Sequence, residues 1–279
     1  MRYSYINQKG QLSINSSAVF CDCLKSQNPL DFLSFKDFLN ECEQLVKSEF
    51  SPTDGALANV RGNWYEWLIS VGYFWYQREY LDGDKFIFIP IPNISGLDLY
   101  SLYQDEIYKF ICDLRDKTKK VGVSLISSNP DFVLIEKELH GEIPNLRNFD
   151  KDQLVKIEEF YKSYIGKCNF YEIIAFASVK TSLRPDRRLQ LSHEGALTKA
   201  FFQHLKTRLW LTDVPRLQYF ACSMQVGQKD INALKTVATH SILSVDSIPE
   251  PAVDLLREVS NGKELKSFFD AIFTQKPFN

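Results

Sequence analysis

Phe176-Ala177-Ser178-Val179-Lys180-Thr181-Ser182-Leu183-Arg184-Pro185-Asp186-Arg187-Arg188 joins an apolar run to a dense basic one. Tyr171 to Lys180 predicts a strand that ends on a lysine, and Leu189 to Leu209 predicts the helix that follows. Upstream, Asn129-Pro130-Asp131-Phe132-Val133-Leu134-Ile135 opens a second apolar strand with an acid. An acid and a lysine at the ends of two such strands set the framework for the rest of the chain.

Working outward, Met1 to Ile14 alternates and turns at Lys9-Gly10, which predicts a short hairpin. Ser34 to Phe50 reads as a helix capped by Ser34, followed by a turn at Ser51 to Gly55. Asn59 to Tyr80 is a second helix, apolar on most sides and therefore expected to be buried. Strands are expected at Lys85 to Ile91, Val121 to Ile126, Asp131 to Glu136, Leu217 to Met224 and His240 to Val245. Helices are expected at Ser101 to Lys120, Asp150 to Tyr164 and Asp254 to Phe273, the last broken near Asn261-Gly262. Helices alternate with strands, so the expected class is α/β, a mixed central sheet flanked by helices. Repeats and clear linkers are absent, and residues 1–279 read as one domain with an N-terminal extension of about residues 1–55 whose role stays unassigned.

Composition excludes several classes. The chain has 279 residues, 44% of them hydrophobic, which is enough for a sizeable core without a staple. The six cysteines form no C-x-x-C pair and the histidines stand apart, so a structural zinc site is not expected. Met1 to Leu12 is polar and alternating, unlike a signal peptide, and apolar runs fall short of the ~18 residues of a membrane span. The expected setting is cytoplasmic, with free thiols. A net charge of −2 argues against a protein that coats nucleic acid non-specifically. Yet Lys180 to Arg208 holds seven Lys or Arg against two acids. That segment is either a phosphate-facing patch or a solvated basic face.

An acid and a lysine at neighbouring strand ends are what phosphodiester hydrolysis needs. Carboxylates hold Mg²⁺ by oxygen, the metal lowers the pKa of its water, and a lysine orients that water or shields developing charge. Glu194 falls on the face Leu191, Glu194, Thr198, Phe201, Leu205, otherwise mostly a core stripe. A carboxylate there needs a partner; Lys180 and a metal are available, and a structural ion pair or a favourable helix-dipole charge is the alternative. Arg184, Asp186 and Arg187 could read bases, since arginine forks onto guanine O6 and N7 and a carboxylate accepts from cytosine N4. A surface turn in which Asp186 pairs with the arginines is the alternative. Trp64, Trp67 and Trp75 read as core or dimer surface.

The run Lys180-Thr181-Ser182-Leu183-Arg184-Pro185-Asp186-Arg187, with Glu194 after it, resembles the PD-(D/E)xK type II restriction endonucleases. It is most similar to the branch that recognises sites built around CCGG. In most of that superfamily an acid stands two residues before the lysine; here that position is Ser178. The CCGG branch has the same gap and supplies the acid from the next helix, where Glu194 stands. Its K-x-S-x-R-x-D-R pattern is matched by Lys180, Ser182, Arg184, Asp186 and Arg187. The branch also uses a glutamate on an upstream buried helix, for which Glu66 is the match.

The resemblance implies a restriction-endonuclease-like fold and Mg²⁺-dependent cleavage of double-stranded DNA at a CCGG-containing palindrome, leaving 5′ overhangs. It makes Asp131 and Glu194 metal ligands, Lys180 the water-orienting or charge-stabilising residue and Glu66 an auxiliary acid. Ser182, Arg184, Asp186, Arg187 and Arg188 become the DNA-binding set. A palindrome implies a homodimer, and the family allows a homotetramer. Two other functions fit less of this: a repair or recombination nuclease that reads DNA structure, and a DNA-binding module without catalysis.

Overall fold

The computed structural model describes residues 2–81, 85–92, 97–123, 125, 130–136, 142–243 and 248–274. Strands β1 (Ser4–Ile6) and β2 (Leu12–Ile14) pair antiparallel. Their turn is closed by Gly10 at φ +72°, a conformation glycine adopts without strain. Helices α1 (Ser16–Leu24) and α2 (Phe35–Glu49) follow, with the Ser34 hydroxyl accepting from Asp37 N at the start of α2.

Helix α3 runs from Asp54 to Tyr80. It begins five residues before the expected Asn59, because the Thr53 side chain accepts from Ala56 N and turns the predicted turn residues into a helix cap. Its second half is buried almost all round, as its apolar composition requires.

The remaining strands build one mixed sheet in the order β3 (Phe86–Pro90), β4 (Phe132–Glu136), β5 (Ile173–Lys180), β6 (Gln218–Ser223) and β7 (Leu255–Glu258). The β3–β4 and β4–β5 pairs are antiparallel, and the β5–β6 and β6–β7 pairs are parallel. Between them lie α4 (Asp105–Lys120), α5 (Lys151–Glu159), α6 (Pro185–Arg208) and α7 (Gln228–Leu234), and α8 (Gly262–Thr274) follows β7. Ser178 pairs with Ala221 and Val179 with Cys222, so alternation sends Ser178 and Tyr219 to one face and Val179 and Cys222 to the other. The first face lies against α6, where Glu194 meets both Ser178 and Tyr219. The second lies beneath α3, with Tyr65 beside Cys222. Two covered faces explain why every residue of β5 is apolar or small before Lys180.

Four expectations need correction. The strand expected at His240 to Val245 is a 3-10 turn over Thr239–Ile242, and residues 244–247 lie outside the described set. The first residues of the expected helix Asp254 to Phe273 form β7, held by β6 and by Tyr219 N donating to Asp254 Oδ2 at 2.7 Å. Of the strand expected at Val121 to Ile126, residues 121–123 and 125 form none, and 124 and 126 lie outside the described set. Helix α6 starts at Pro185, not Leu189, because proline suits the first helical position.

The two ends of the chain interlock. Phe35 N donates to Ser260 O, Gly262 N donates to Phe32 O, and the Tyr65 hydroxyl donates to Val259 O at 2.6 Å. Gly262 is pressed so closely onto Leu30 that a Cβ would sit 2.1 Å from the Leu30 carbonyl oxygen. No helix among the described residues is long and apolar enough to cross a membrane, and all six cysteines are free thiols.

Candidate active site

Asp131 stands immediately before β4, and Lys180 is the last residue of β5. Antiparallel pairing of these strands matches Phe132 with Ala177, which carries Asp131 to the end of β5. There Asp131 Oδ2 accepts from Lys180 Nζ at 2.8 Å and from Val179 N at 2.6 Å. Both side chains are largely buried, 13% and 14% exposed. Burial pushes the Asp131 carboxyl up, and Lys180 offsets only part of that rise. Burial works against the charged form of Lys180, but the Asp131 carboxylate outweighs it and holds the ammonium above its ordinary value.

Glu194 lies two turns into α6 and is 2% exposed. Both of its oxygens are engaged. Oε2 accepts from the Tyr219 hydroxyl at 2.8 Å and lies 3.1 Å from Ser178 Oγ, while Oε1 accepts from Gln190 Nε2 at 2.7 Å. Ser178 Oγ is also 2.8 Å from the Tyr219 hydroxyl, so one serine proton is shared between two acceptors. Burial and the neighbouring Glu194 carboxylate raise Tyr219 well above its ordinary range, which keeps it a donor.

Glu66 reaches the same place from α3. Burial pushes its carboxyl up to about 8; Asp131 adds to the rise and Lys180 opposes it. Lys180 thus faces the charges of Asp131, Glu194 and Glu66 together. Among the described residues, however, no three acids, histidines or cysteines converge tightly enough to hold a metal unaided.

The site opens into a polar cleft of about 640 Å³, with Asn59, Asn63 and Glu66 on one wall and Ser182, Arg184, Arg187 and Gln190 on the other. Asp131 and Lys180 also line it, and Glu194 does not. Arg184, Asp186, Arg187 and Arg188 therefore sit at the cap and first turn of α6, not on a loop. Arg184 and Asp186 are exposed and lie 3.4 Å apart. Arg187 donates to Gln190 Oε1 at 3.0 Å. Arg188 turns away from the cleft and pairs with Asp230 of α7 at 2.9 Å, so its observed work is to fasten two helices.

A family model described as Cfr10I/Bse634I restriction endonuclease matches residues 5–275. The chain belongs to this restriction endonuclease family. The type II restriction enzyme Cfr10I of Citrobacter freundii is 36% identical over 248 residues, covering 86% of this chain and 85% of that protein. The structure of the type IIF restriction endonuclease Bse634I with cognate DNA superposes with a TM-score of 0.83 at 29% identity, covering 97% of each chain. A second Bse634I restriction endonuclease structure gives 0.84 at 29% identity, over 98% of this chain and 97% of that one. The mixed sheet with its flanking helices is thus the restriction-endonuclease fold, and the protein is a type II site-specific deoxyribonuclease. Neither the structure-directed repair nuclease nor the DNA-binding module without catalysis is the family found.

Four polar residues of this restriction endonuclease's site escape a reading of the sequence. Gln190 precedes Glu194 by one helical turn, and that spacing places it on the same helix face. Asn59 and Asn63 carry a similar signal, as a spacing of four on α3. Tyr219 carries none, because its approach to Glu194 depends on the parallel pairing of β5 with β6.

Proposed function

We propose that this restriction endonuclease hydrolyses both strands of duplex DNA at a palindrome containing CCGG, with Mg²⁺ as cofactor, and leaves 5′ overhangs. The observation that carries this reading is that the Asp131–Lys180 pair opens into the same cleft as Arg184 and Arg187.

The donor set fits a hard divalent cation. Asp131, Glu194 and Glu66 offer carboxylate oxygens around a single ammonium, and one or two acids suffice for Mg²⁺, which keeps waters and takes phosphate oxygens as its other ligands. Asp131 and Glu194 would hold it, with Glu66 auxiliary. When bound, it supplies an acidified water and offsets charge on the phosphorus. Lys180, pinned by Asp131, donates to the attacking water or to a phosphate oxygen at the mouth of the cleft. Glu66 lines the same cleft and adds a third carboxyl to the site.

For recognition, Arg184 and Arg187 provide forked donors suited to guanine, and Asp186 provides acceptors suited to cytosine amino groups; Ser182 adds a hydroxyl at the rim of the cleft. Nothing in that inventory suits adenine or the thymine methyl. A palindrome is matched by two copies about a dyad, hence a homodimer, with a homotetramer as a larger form. Arg188, paired with Asp230, would serve DNA binding by steadying the helix that carries Arg184 and Arg187.

Incubation with plasmid DNA and Mg²⁺, followed by sequencing of the ends, tests the reading. Uniform 5′ overhangs at CCGG-containing sites are expected. Ends without CCGG would overturn the assignment of Arg184, Asp186 and Arg187 to base readout. A fully active enzyme without divalent cation would overturn the roles of Asp131 and Glu194.

A further inference from the structure

Gln190 joins the two halves of the site through one amide. Its Oε1 accepts from Arg187 Nη1 at 3.0 Å, and its Nε2 donates to Glu194 Oε1 at 2.7 Å. A guanidinium only donates and a carboxylate only accepts, so the amide has one possible orientation between them. Gln190 and Arg187 line the cleft and Glu194 does not, so the amide stands between Glu194 and the open space. The other oxygen of Glu194 already serves Tyr219 and Ser178. Oε1, the oxygen held by Gln190, is thus the one left for the cleft if the amide moves.

We propose that Gln190 is a positioning residue that withholds Glu194 from the divalent cation until Arg187 leaves it for DNA. In the free protein, Arg187 holds the carbonyl end of the amide and so keeps its amino end on Glu194. A guanine offers Arg187 two acceptors in place of one. Once Arg187 moves to it, Gln190 loses one of its two anchors and can rotate away, and Glu194 Oε1 faces the cleft. A wrong base leaves Arg187 on Gln190 and Glu194 covered. The linkage is reciprocal, so cation and correct sequence each favour binding of the other. This inference rests on the assignment of Glu194 to the metal and Arg187 to a base.

The test is Mn²⁺ binding, followed by electron paramagnetic resonance and calorimetry, to wild type, Gln190→Met, Gln190→Ala and Glu194→Gln. Each protein is measured alone, with a CCGG duplex, and with a duplex of permuted sequence. Methionine keeps the length and apolar packing of Gln190 without its amide, and alanine covers the case in which methionine misfolds. Without DNA, both Gln190 variants are expected to bind Mn²⁺ about tenfold more tightly than wild type, as one hydrogen bond to a charged group is removed. The advantage of the CCGG duplex over the permuted one, present in wild type, is expected to disappear in them. A Glu194-dependent Mn²⁺ site that neither Gln190 variant tightens, or whose preference for the CCGG duplex survives in them, overturns the clamp alone. Undiminished Mn²⁺ binding by Glu194→Gln overturns the metal assignment, and the clamp falls with it.

Discussion

Ser178 Oγ lies 3.1 Å from Glu194 Oε2, although one residue belongs to a strand and the other to a helix sixteen positions later. The strand position two before Lys180 and the helix position of Glu194 therefore converge on one point in space. Glu194→Ala should abolish cleavage. Adding Ser178→Glu should restore part of it, since the new carboxylate enters the space that the missing one leaves. Single-turnover cleavage with Mg²⁺ measures both. Full activity of Glu194→Ala would remove this residue from the mechanism whatever the double variant does.

Asp131→Ala and Lys180→Ala should each lower the cleavage rate by about 10²- to 10³-fold or more. The fold should survive loss of Lys180, because Val179 N still donates to the Asp131 carboxyl and β4 and β5 stay paired. Circular dichroism and a urea titration report the fold, and plasmid cleavage the rate. A Lys180→Ala enzyme cutting near the wild-type rate would contradict the assignment.

Arg187→Ala should lose binding to the target duplex by about 1–3 kcal/mol more than binding to a scrambled duplex. Asp186→Asn should also be damaging, although nearly isosteric, because an amide gives up half of the acceptor capacity. Gel shifts with Ca²⁺ in place of Mg²⁺ at one fixed salt concentration compare the two duplexes. Equal losses on both would reduce Arg187 to a phosphate contact.

Stability should fall in acid partly through Asp98. Its carboxylate pairs with Arg115 and accepts from the Tyr108 hydroxyl at 2.7 Å and from Tyr100 N at 3.1 Å. Burial opposes this, but the bonds to Arg115 and Tyr108 prevail and hold Asp98 below the usual carboxylate range. A depressed folded pKa gives stability that is complete above the unfolded value near ~4 and lost as pH falls through the folded one. Asp98→Asn should cost about 2 kcal/mol at neutral pH and progressively less in acid. Urea midpoints at several pH values give the result; a constant difference across pH would exclude the ion pair as its source.

Much of this molecule is written locally in its sequence. The hairpin follows from Lys9-Gly10, the start of α2 from Ser34, and β3 to β6 from β-rich apolar runs. The proximity of Asp131 to Lys180 is legible for the same reason, since each marks the end of its own strand. Other features depend on partners distant in sequence. Leu255 and Leu256 precede Arg257 and Glu258 in a pattern that suits a helix, and only hydrogen bonding to β6 makes them a strand. The start of α6 is hidden because Arg184 to Arg188 has the composition of a turn. This matters for function, since it places the base-reading candidates on the same rigid helix as Glu194. The orphaned charge of Glu194 is visible from helical spacing, but its answer comes from Tyr219, Ser178 and Gln190, and not from a direct bond with Lys180.

The interlocking of the chain's two ends bears on how the protein is born. Tyr65 donates to Val259 and Tyr76 to Asp270, each pair 194 residues apart, and Gly262 rests on Leu30. Helix α3, which carries Glu66 into the cleft, cannot bury its far side until α8 has left the ribosome. Contacts this distant are slow to close, because chain entropy must be surrendered before they form. A chain that stops before residue 259 therefore keeps the strands that bring Asp131 to Lys180 but leaves the helix that carries Glu66 without its outer support.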